Sequence, residues 1–441
     1  MATAELRGSH GRGEKIVLTT DFGTRELEKL SVYRKLGGYR ALEKALGMER
    51  STIVDEVKTS GLRGRGGAGF ATGLKWSFMA PPDGGPRYVV VNADESEPGT
   101  SKDRYIMENS PHLLLEGILI AEYAVESHQA WIYLRGEYDL PRQRLLAAIE
   151  ELHQDGILGD RPFGVDYPLD LRLYRGHGAY ICGEETALLE SLEGKRSQPR
   201  PRPPYPAAVG AWARPTLINN VETLATVPWI IEHGGAEYAK FGTERSKGTR
   251  LVSVSGHVQK PGVYEIELGV TFEHVIMELA GGPLPGRTLK AYYPGGSSAA
   301  VLPATMLDVT TDMEALAAAG SMAGSGGVIV VDDSWSMVDA TYRLLEFYAW
   351  ESCGKCTPCR VGGNWAVRTL KRMMDGEGTP NDLEVLRRVA ASTLGGRCLC
   401  PLGDSIGLVL NGVLRFFEDE FQALVRKPTP AARPVAAIAH A

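Results

Sequence analysis

A chain of 441 residues is too long for one hydrophobic core, and 43% hydrophobic with 23% charged residues is the composition of a soluble globular protein of two to four domains. With 48 basic against 54 acidic side chains the net charge is −6, which argues against nucleic acid as the main partner. Residues 1–20 lack the apolar stretch of a signal peptide, and nothing reaches the roughly 18 uninterrupted apolar residues of a membrane span, so the expected place is the cytoplasm.

Residues 1–30 read as a mobile or extended arm. Leu36, Leu42, Leu46, Ile53 and Val57 then recur at loosely helical spacing. A glycine-rich loop follows from Gly61 to Phe70, and the sequence up to Pro86 reads as further loop. Arg87–Asn92 is a run of β-branched residues ending in polar ones, the pattern of a buried strand presenting side chains at its C-terminal end. A helix over Leu113–Val125, strands at Ala130–Leu134 and Leu169–Tyr174, and a helix at Glu184–Leu192 continue an alternation that predicts an α/β domain. Residues 196–206 hold five prolines and three arginines and must be loop. Leu251–Ser255, Gly262–Ile266 and Gly327–Val331 are strand-like around a helical stretch at Phe272–Leu279, which predicts a small α+β domain of ubiquitin-like type. Helical patterning runs from Met337 to Arg426, and the Pro/Ala-rich tail from Lys427 has the composition of a disordered segment.

Five of the six cysteines lie after position 350. Cys353, Cys356 and Cys359 are spaced two residues apart, so a short loop can wrap three corners of a cubane while a fourth thiolate arrives from a distance. Cys400, followed by Pro401, suits that fourth position better than its neighbour Cys398. The alternative is a structural zinc, which favours paired C-x₂₋₄-C knuckles over three close cysteines plus one. Cys182 stands alone and reads as a packed residue.

Gly64, Gly66 and Gly69 fit G-x-G-x-x-G, but with a helix before the motif and loop after it an ordinary dinucleotide fingerprint is not expected. Glycines still allow backbone N–H groups to line one concavity, with Arg63, Arg65 and Lys75 adding positive charge; the other reading is a tight turn. Asn92, Asp94, Glu95 and Glu97 form one polar group, and Glu184–Glu185 a second at a helix start. Both follow predicted strand ends, where α/β folds bind ligands. Carboxylates there can accept from ribose hydroxyls and repel a 2′-phosphate, which favours NADH over NADPH.

Together, Ser60–Lys75, Asn92–Asp103, Arg175–Arg196, Ile218–Thr223, Glu351–Arg360 and Cys400-Pro-Leu resemble the NADH-binding flavoprotein subunit of bacterial respiratory complex I, the NADH:quinone oxidoreductase. The likeness runs from about Gly38 to Phe421. It implies a Rossmann-like α/β domain that binds FMN and NADH (62–245) after an N-terminal arm with helices (1–61). A ubiquitin-like β-grasp domain (246–335), a helical [4Fe–4S] domain (336–426) and a disordered tail (427–441) complete the division. The implied activity is hydride transfer from NADH to FMN, then single-electron transfer to a [4Fe–4S] cluster on Cys353, Cys356, Cys359 and Cys400 and onward towards quinone.

By the same resemblance FMN is held by Gly64, Arg65, Gly66, Gly67, Lys75, Asn92, Asp94, Ser96, Gly183, Glu184, Asn219, Asn220 and Thr223. NADH lies against Gly67, Phe70, Phe78, Glu97, Tyr180, Glu185, Arg202 and Tyr205. Catalytic roles fall to Glu97, which tunes how tightly oxidised nucleotide is held, and to Glu185, which discriminates against NADPH. Related members often carry Lys and Phe in place of Arg202 and Tyr205, changes that keep the charge and the stacking face. The implied partners are a thioredoxin-like [2Fe–2S] subunit and a large iron–sulfur subunit of the peripheral arm, with the complex on the inner face of the plasma membrane and no insertion by this chain. The competing functions are the diaphorase subunit of an NAD-linked hydrogenase or formate dehydrogenase, and a non-catalytic scaffold with a structural metal. Many such diaphorases carry an N-terminal ferredoxin-like domain, for which the short arm leaves no room.

Overall fold

The computed structural model describes residues 6–8 and 17–425; the expected tail at 427–441 and most of the first sixteen residues lie outside them. Among the described residues ten strands form two sheets. They are β1 (Leu6–Gly8), β2 (Tyr88–Ala93), β3 (Gln129–Leu134), β4 (Asp170–Arg175) and β5 (Thr216–Asn220), followed by β6 (Thr249–Gly256), β7 (Gly262–Glu267), β8 (Leu289–Tyr293), β9 (Leu302–Pro303) and β10 (Gly327–Asp332).

The first sheet has the order β4-β3-β2-β5, and every pair is parallel. Helices cover it, so Val89, Val90 and Val91 of β2 are wholly buried, as β-branched residues in a doubly covered parallel strand should be. The helix Pro111–Ala124 begins with proline at its first position and is apolar almost all round, and it packs against the helix Val221–His233. Leu114, Leu115, Ile118, Leu119 and Ile120 are fully buried there, each worth about 1.5–3 kcal/mol of transfer free energy. From β2 the chain steps outward to β3 and β4, then returns to place β5 on the other side of β2. That reversal opens a crevice between the C-terminal ends of β2 and β5, where Val91 pairs with Asn219 and Asn92 with Asn220.

The second sheet is mixed, in the order β1-β7-β6-β10-β8-β9. Its strands β6, β7 and β10 fall where sequence patterning puts them, while β1, β8 and β9 extend the sheet beyond it. The stretch expected as helix at Phe272–Leu279 is a π-helical turn over His274–Leu279. After β10 the chain is helical, with Met337–Glu351, Gly363–Arg372, Pro380–Thr393 and Pro401–Phe416 around one apolar core.

Two expectations are corrected. Residues 17–30 are not a loose arm: the backbone N–H groups of Val17, Leu18 and Thr19 donate to the buried Glu265 carboxylate at 2.9 Å. The stretch after Phe70 is not all loop, because Thr72–Ser77 is helical. Its glycine hid it: a Cβ on Gly73 would stand 2.5 Å from the Lys58 nitrogen, so close packing of two helices demands a residue that disfavours helices.

Candidate active site

The glycine loop arches over the crevice. Gly64 N–H donates to the Phe70 carbonyl at 2.8 Å and Thr72 N–H to that of Leu62 at 2.9 Å, which closes the loop at its base. Gly67 and Gly69 take φ of +131° and +64°, the region where a side chain is strained. A Cβ on Gly66 would stand 3.1 Å from the Cβ of Asn220, so the loop rests on the end of β5. Arg65 N–H donates to Thr223 Oγ1 at 2.9 Å, and its guanidinium, 1% exposed, donates to Tyr238 Oη and the Lys247 carbonyl. Arg63 donates to the Gly69 carbonyl and to Glu314. These two arginines therefore anchor the loop, and of the three expected cations Lys75 is the one that pairs with Glu185.

Polar side chains from the strand ends face the loop. Asn92 Nδ2 donates to the Gly183 carbonyl at 2.8 Å, and Ser96 Oγ donates to Asp94 Oδ2 at 2.7 Å. Asp94 Oδ1 is buried without a partner, and burial pushes this carboxyl up to about 7. Trp76 Nε1 donates to Asn219 Oδ1 at 2.9 Å, and Asn220 Oδ1 caps the Val221–His233 helix. Glu184 Oε2 caps the helix Glu185–Leu192 from Thr186 and Ala187 N–H, and its other oxygen pairs with Arg202. Glu185 lies between Lys75 Nζ at 2.9 Å and Arg202 at 3.2 Å. Burial alone would raise its carboxyl, but these two cations outweigh it and hold the group below its ordinary range. At the mouth, Phe70, Phe78 and Tyr205 are 48%, 56% and 60% exposed, with the two phenylalanine rings 6.2 Å apart.

Glu97, half-buried, is held by donors from two sides. Tyr180 Oη donates to its Oε2 at 2.5 Å, and Ser298 N–H and Ser297 Oγ donate to Oε1 at 2.7 and 3.1 Å. Tyr180 packs on Phe347 and Tyr348, and its N–H donates to Glu351 Oε2 at 3.0 Å. Glu351 ends the helix that leads into the cysteine loop.

The six cysteines are all free thiols. Leu399 N–H donates to Cys356 Sγ at 3.1 Å, and Ser352 Oγ lies 3.2 Å from Cys359 Sγ. Cys400 occupies the N-cap of the Pro401–Phe416 helix, and burial pushes its thiol up to about 12, with Cys353 and Cys359 close enough to add to the shift. Among the described residues no three His, Cys, Asp or Glu converge on one ion. The proline-rich loop covers this region: Lys355 Nζ donates to the Pro199 carbonyl at 2.6 Å and Gln198 Nε2 to that of Cys353 at 3.1 Å.

Three family models match the chain: the Nuo51 FMN-binding domain over residues 57–229, the SLBB domain over 251–302 and the NADH-ubiquinone oxidoreductase-F iron–sulfur binding region over 339–424. The NADH-quinone oxidoreductase F subunit numbered 2 in Rhizobium meliloti is 51% identical over 90% of this chain and 94% of its own length. The chain belongs to the family of NADH-quinone oxidoreductase F subunits. The F subunit of Streptomyces coelicolor is 47% identical over 95% of this chain and 93% of its own. Among solved structures, an NAD⁺-reducing [NiFe]-hydrogenase superposes with a TM-score of 0.83 at 34% identity, over 97% of this chain and 70% of that one. The hydrogenase is thus a relative that shares the fold, at lower identity than the oxidoreductase F subunits.

The residues fit FMN. The loop carries no side chain at Gly64, Gly66, Gly67 and Gly69, so backbone N–H groups can approach a phosphate there, and the partnerless Asp94 oxygen offers an acceptor to a flavin ring. The thiol set likewise fits the cluster. Sequence reasoning missed the contribution of the second sheet's loops. Gly295-Gly-Ser-Ser298 reaches Glu97, and a Cβ on Gly67 would have its nearest contact, at 3.9 Å, in Gly324. The signal was there in the glycines at 295, 296, 324 and 326, which no predicted element used.

Proposed function

We infer that this chain oxidises NADH at an FMN held in the β2/β5 crevice and delivers electrons to a [4Fe–4S] cluster on Cys353, Cys356, Cys359 and Cys400, on the way to quinone. One observation carries the reading: the turn bearing Tyr180 is tied to the cysteine loop through the 3.0 Å bond from Tyr180 N–H to Glu351, so nucleotide pocket and cluster loop are built as one unit. Bound FMN supplies the conversion of a hydride pair into single electrons, which neither nucleotide nor cluster can do alone. The chain's own residues do the rest. Gly64, Arg65, Gly66, Gly67, Asn219, Asn220 and Thr223 form the phosphate end; Asn92, Asp94, Ser96, Gly183 and Glu184 face the ring. Phe70, Phe78 and Tyr205 offer stacking faces to the adenine, and Lys75 and Arg202 hold Glu185 where ribose hydroxyls bind and a 2′-phosphate is repelled. Tyr180 and Glu97 flank the nicotinamide.

The partners we propose are a thioredoxin-like [2Fe–2S] subunit and a large iron–sulfur subunit, in a complex peripheral to the membrane on its cytoplasmic face. Support comes from the exposed apolar residues around the cysteine loop, with Trp350 85% and Trp365 58% exposed. No helix among the described residues is long and apolar enough to cross a membrane. The test is reconstitution of the full chain with FMN, iron and sulfide: NADH-to-ferricyanide turnover should require the flavin. Turnover that survives complete flavin removal overturns the proposal.

A further inference from the structure

A cavity separate from the flavin crevice lies at the other end of β2. Its volume is about 370 Å³, and Arg50, Ser51, Arg87 and Glu126 line one side. Arg87 stands immediately before β2 and is only 8% exposed, yet its Nε and Nη1 have no hydrogen-bond partner; nor has Nε of Arg50. Glu126 sits between the two arginines without satisfying both. Arg50 Nη1 donates to its Oε1 at 2.9 Å, but Arg87 Nη1 stands 3.7 Å from Oε2, beyond a hydrogen bond. Glu126 is also held at φ +55°, where a side chain is strained. The guanidinium of Arg50 is fixed by the rings of Tyr123 and Tyr167, each 4.9 Å away at its centroid. Arg50 opens the helix Arg50–Thr59, and Glu49, exposed at its N-cap, makes no side-chain bond to the first turn. That turn therefore adds N–H groups and a partial positive charge to the same side. The opposite wall is apolar, made by Trp76, Met79, Pro81 and Pro82.

We propose that this cavity is a binding site for a small organic phosphate monoester. Buried guanidinium N–H groups without acceptors are costly, and a ligand that supplies the acceptors removes that cost. A phosphoryl group brings three acceptor oxygens and up to two negative charges, which suits two arginines and a helix N-terminus better than another carboxylate does. Glu126 occupies part of that place and competes with the ligand. The apolar wall then takes the organic part, with Trp76 offering the largest face. Trp76 also donates to Asn219 at 2.9 Å, and the preceding Lys75 reaches Glu185, so the helix Thr72–Ser77 stands between this cavity and the nucleotide pocket.

The test titrates the flavin- and cluster-loaded full chain, whose flavin site is already filled, with phenyl phosphate and with inorganic phosphate at constant ionic strength. Binding is read by line broadening in ³¹P NMR. Phenyl phosphate should bind with a Kd on the order of 1 mM or below, and about tenfold more tightly than inorganic phosphate because its ring leaves water against Trp76. Arg87→Gln and Arg50→Gln should each weaken binding about tenfold or more, by removing charge-assisted donors. Arg50, with its side chain 37% exposed, carries the test even where the Arg87 variant fails to fold. Glu126→Gln should act with the opposite sign and tighten binding several-fold, because it removes the competing charge. Lys75→Gln, in the nucleotide pocket, should change nothing. Equal affinity for the two probes assigns the site to free phosphate and overturns the organic part of the proposal. No saturable binding below about 20 mM, or binding that Lys75→Gln abolishes and Arg50→Gln leaves intact, overturns the whole.

Discussion

Replacing Glu185 with glutamine should admit NADPH. Glutamine keeps the shape but removes the charge that now sits 2.9 Å from Lys75 Nζ and 3.2 Å from Arg202. A 2′-phosphate oxygen brought within about 4 Å of Glu185 meets about 4 kcal/mol of repulsion per unit charge at an effective dielectric of about 20. The side chains of Glu185 and Lys75 are 23% and 28% exposed, so solvent and salt screen part of it. About 1.5–3 kcal/mol remains, a ten- to hundredfold change in selectivity. The variant also unbalances Lys75, which becomes a free cation for the phosphate. The assay is kcat/KM for NADH and NADPH with ferricyanide as acceptor, at low and at physiological salt. The ratio should fall by at least tenfold, most at low salt. A ratio within twofold of the parent would refute the placement of Glu185 at the ribose.

Cys356→Ala should abolish the low-temperature EPR signal of the reduced cluster while part of the NADH-to-ferricyanide turnover survives, because the flavin site is built from other segments; an unchanged signal rejects the ligand assignment. Thr223→Val removes the acceptor of the 2.9 Å bond from Arg65 N–H, a loss of about 1 kcal/mol or more, and should weaken FMN retention several-fold in equilibrium dialysis. Retention equal to the parent would mean that Thr223 does not hold the loop. Asp94, buried and raised to about 7 from an ordinary 3.8, favours the folded flavin-free protein fully below about pH 4, and that advantage is lost as pH rises through about 7. The melting temperature of flavin-free parent relative to Asp94→Asn should therefore fall from pH 4 to pH 8; a constant difference contradicts the burial argument.

What could be read from the sequence was what local pattern encodes. Runs such as Val89–Val91 and Val328–Val331 announce buried strands, and the cysteine spacing needs no tertiary knowledge. The helix Thr72–Ser77 was hidden because Gly73 answers to a neighbouring helix and not to its own. Strand β5 was missed because Thr-Leu-Ile-Asn-Asn is short and half polar, and its amides are selected by the crevice. The arginines of the glycine loop looked like phosphate ligands because charge is visible in a sequence and its partners are not: Arg65 meets Lys247 182 positions away. The bond between Ser297 and Glu97 spans 200 positions and joins two domains, so no local signal could pair them. Long-range polar contacts of this kind are set by how layers dock, and only the assembled fold shows them.

The proposed coupling of hydride acceptor and one-electron relay within this chain is tested most directly by anaerobic stopped-flow absorbance of the reconstituted full chain. After mixing with NADH, the flavin band should bleach first and the broad iron–sulfur absorbance should fall with a matching or later time course, whereas in Cys356→Ala only the flavin should bleach. A flavin that is fully reduced while an intact cluster stays oxidised would contradict it.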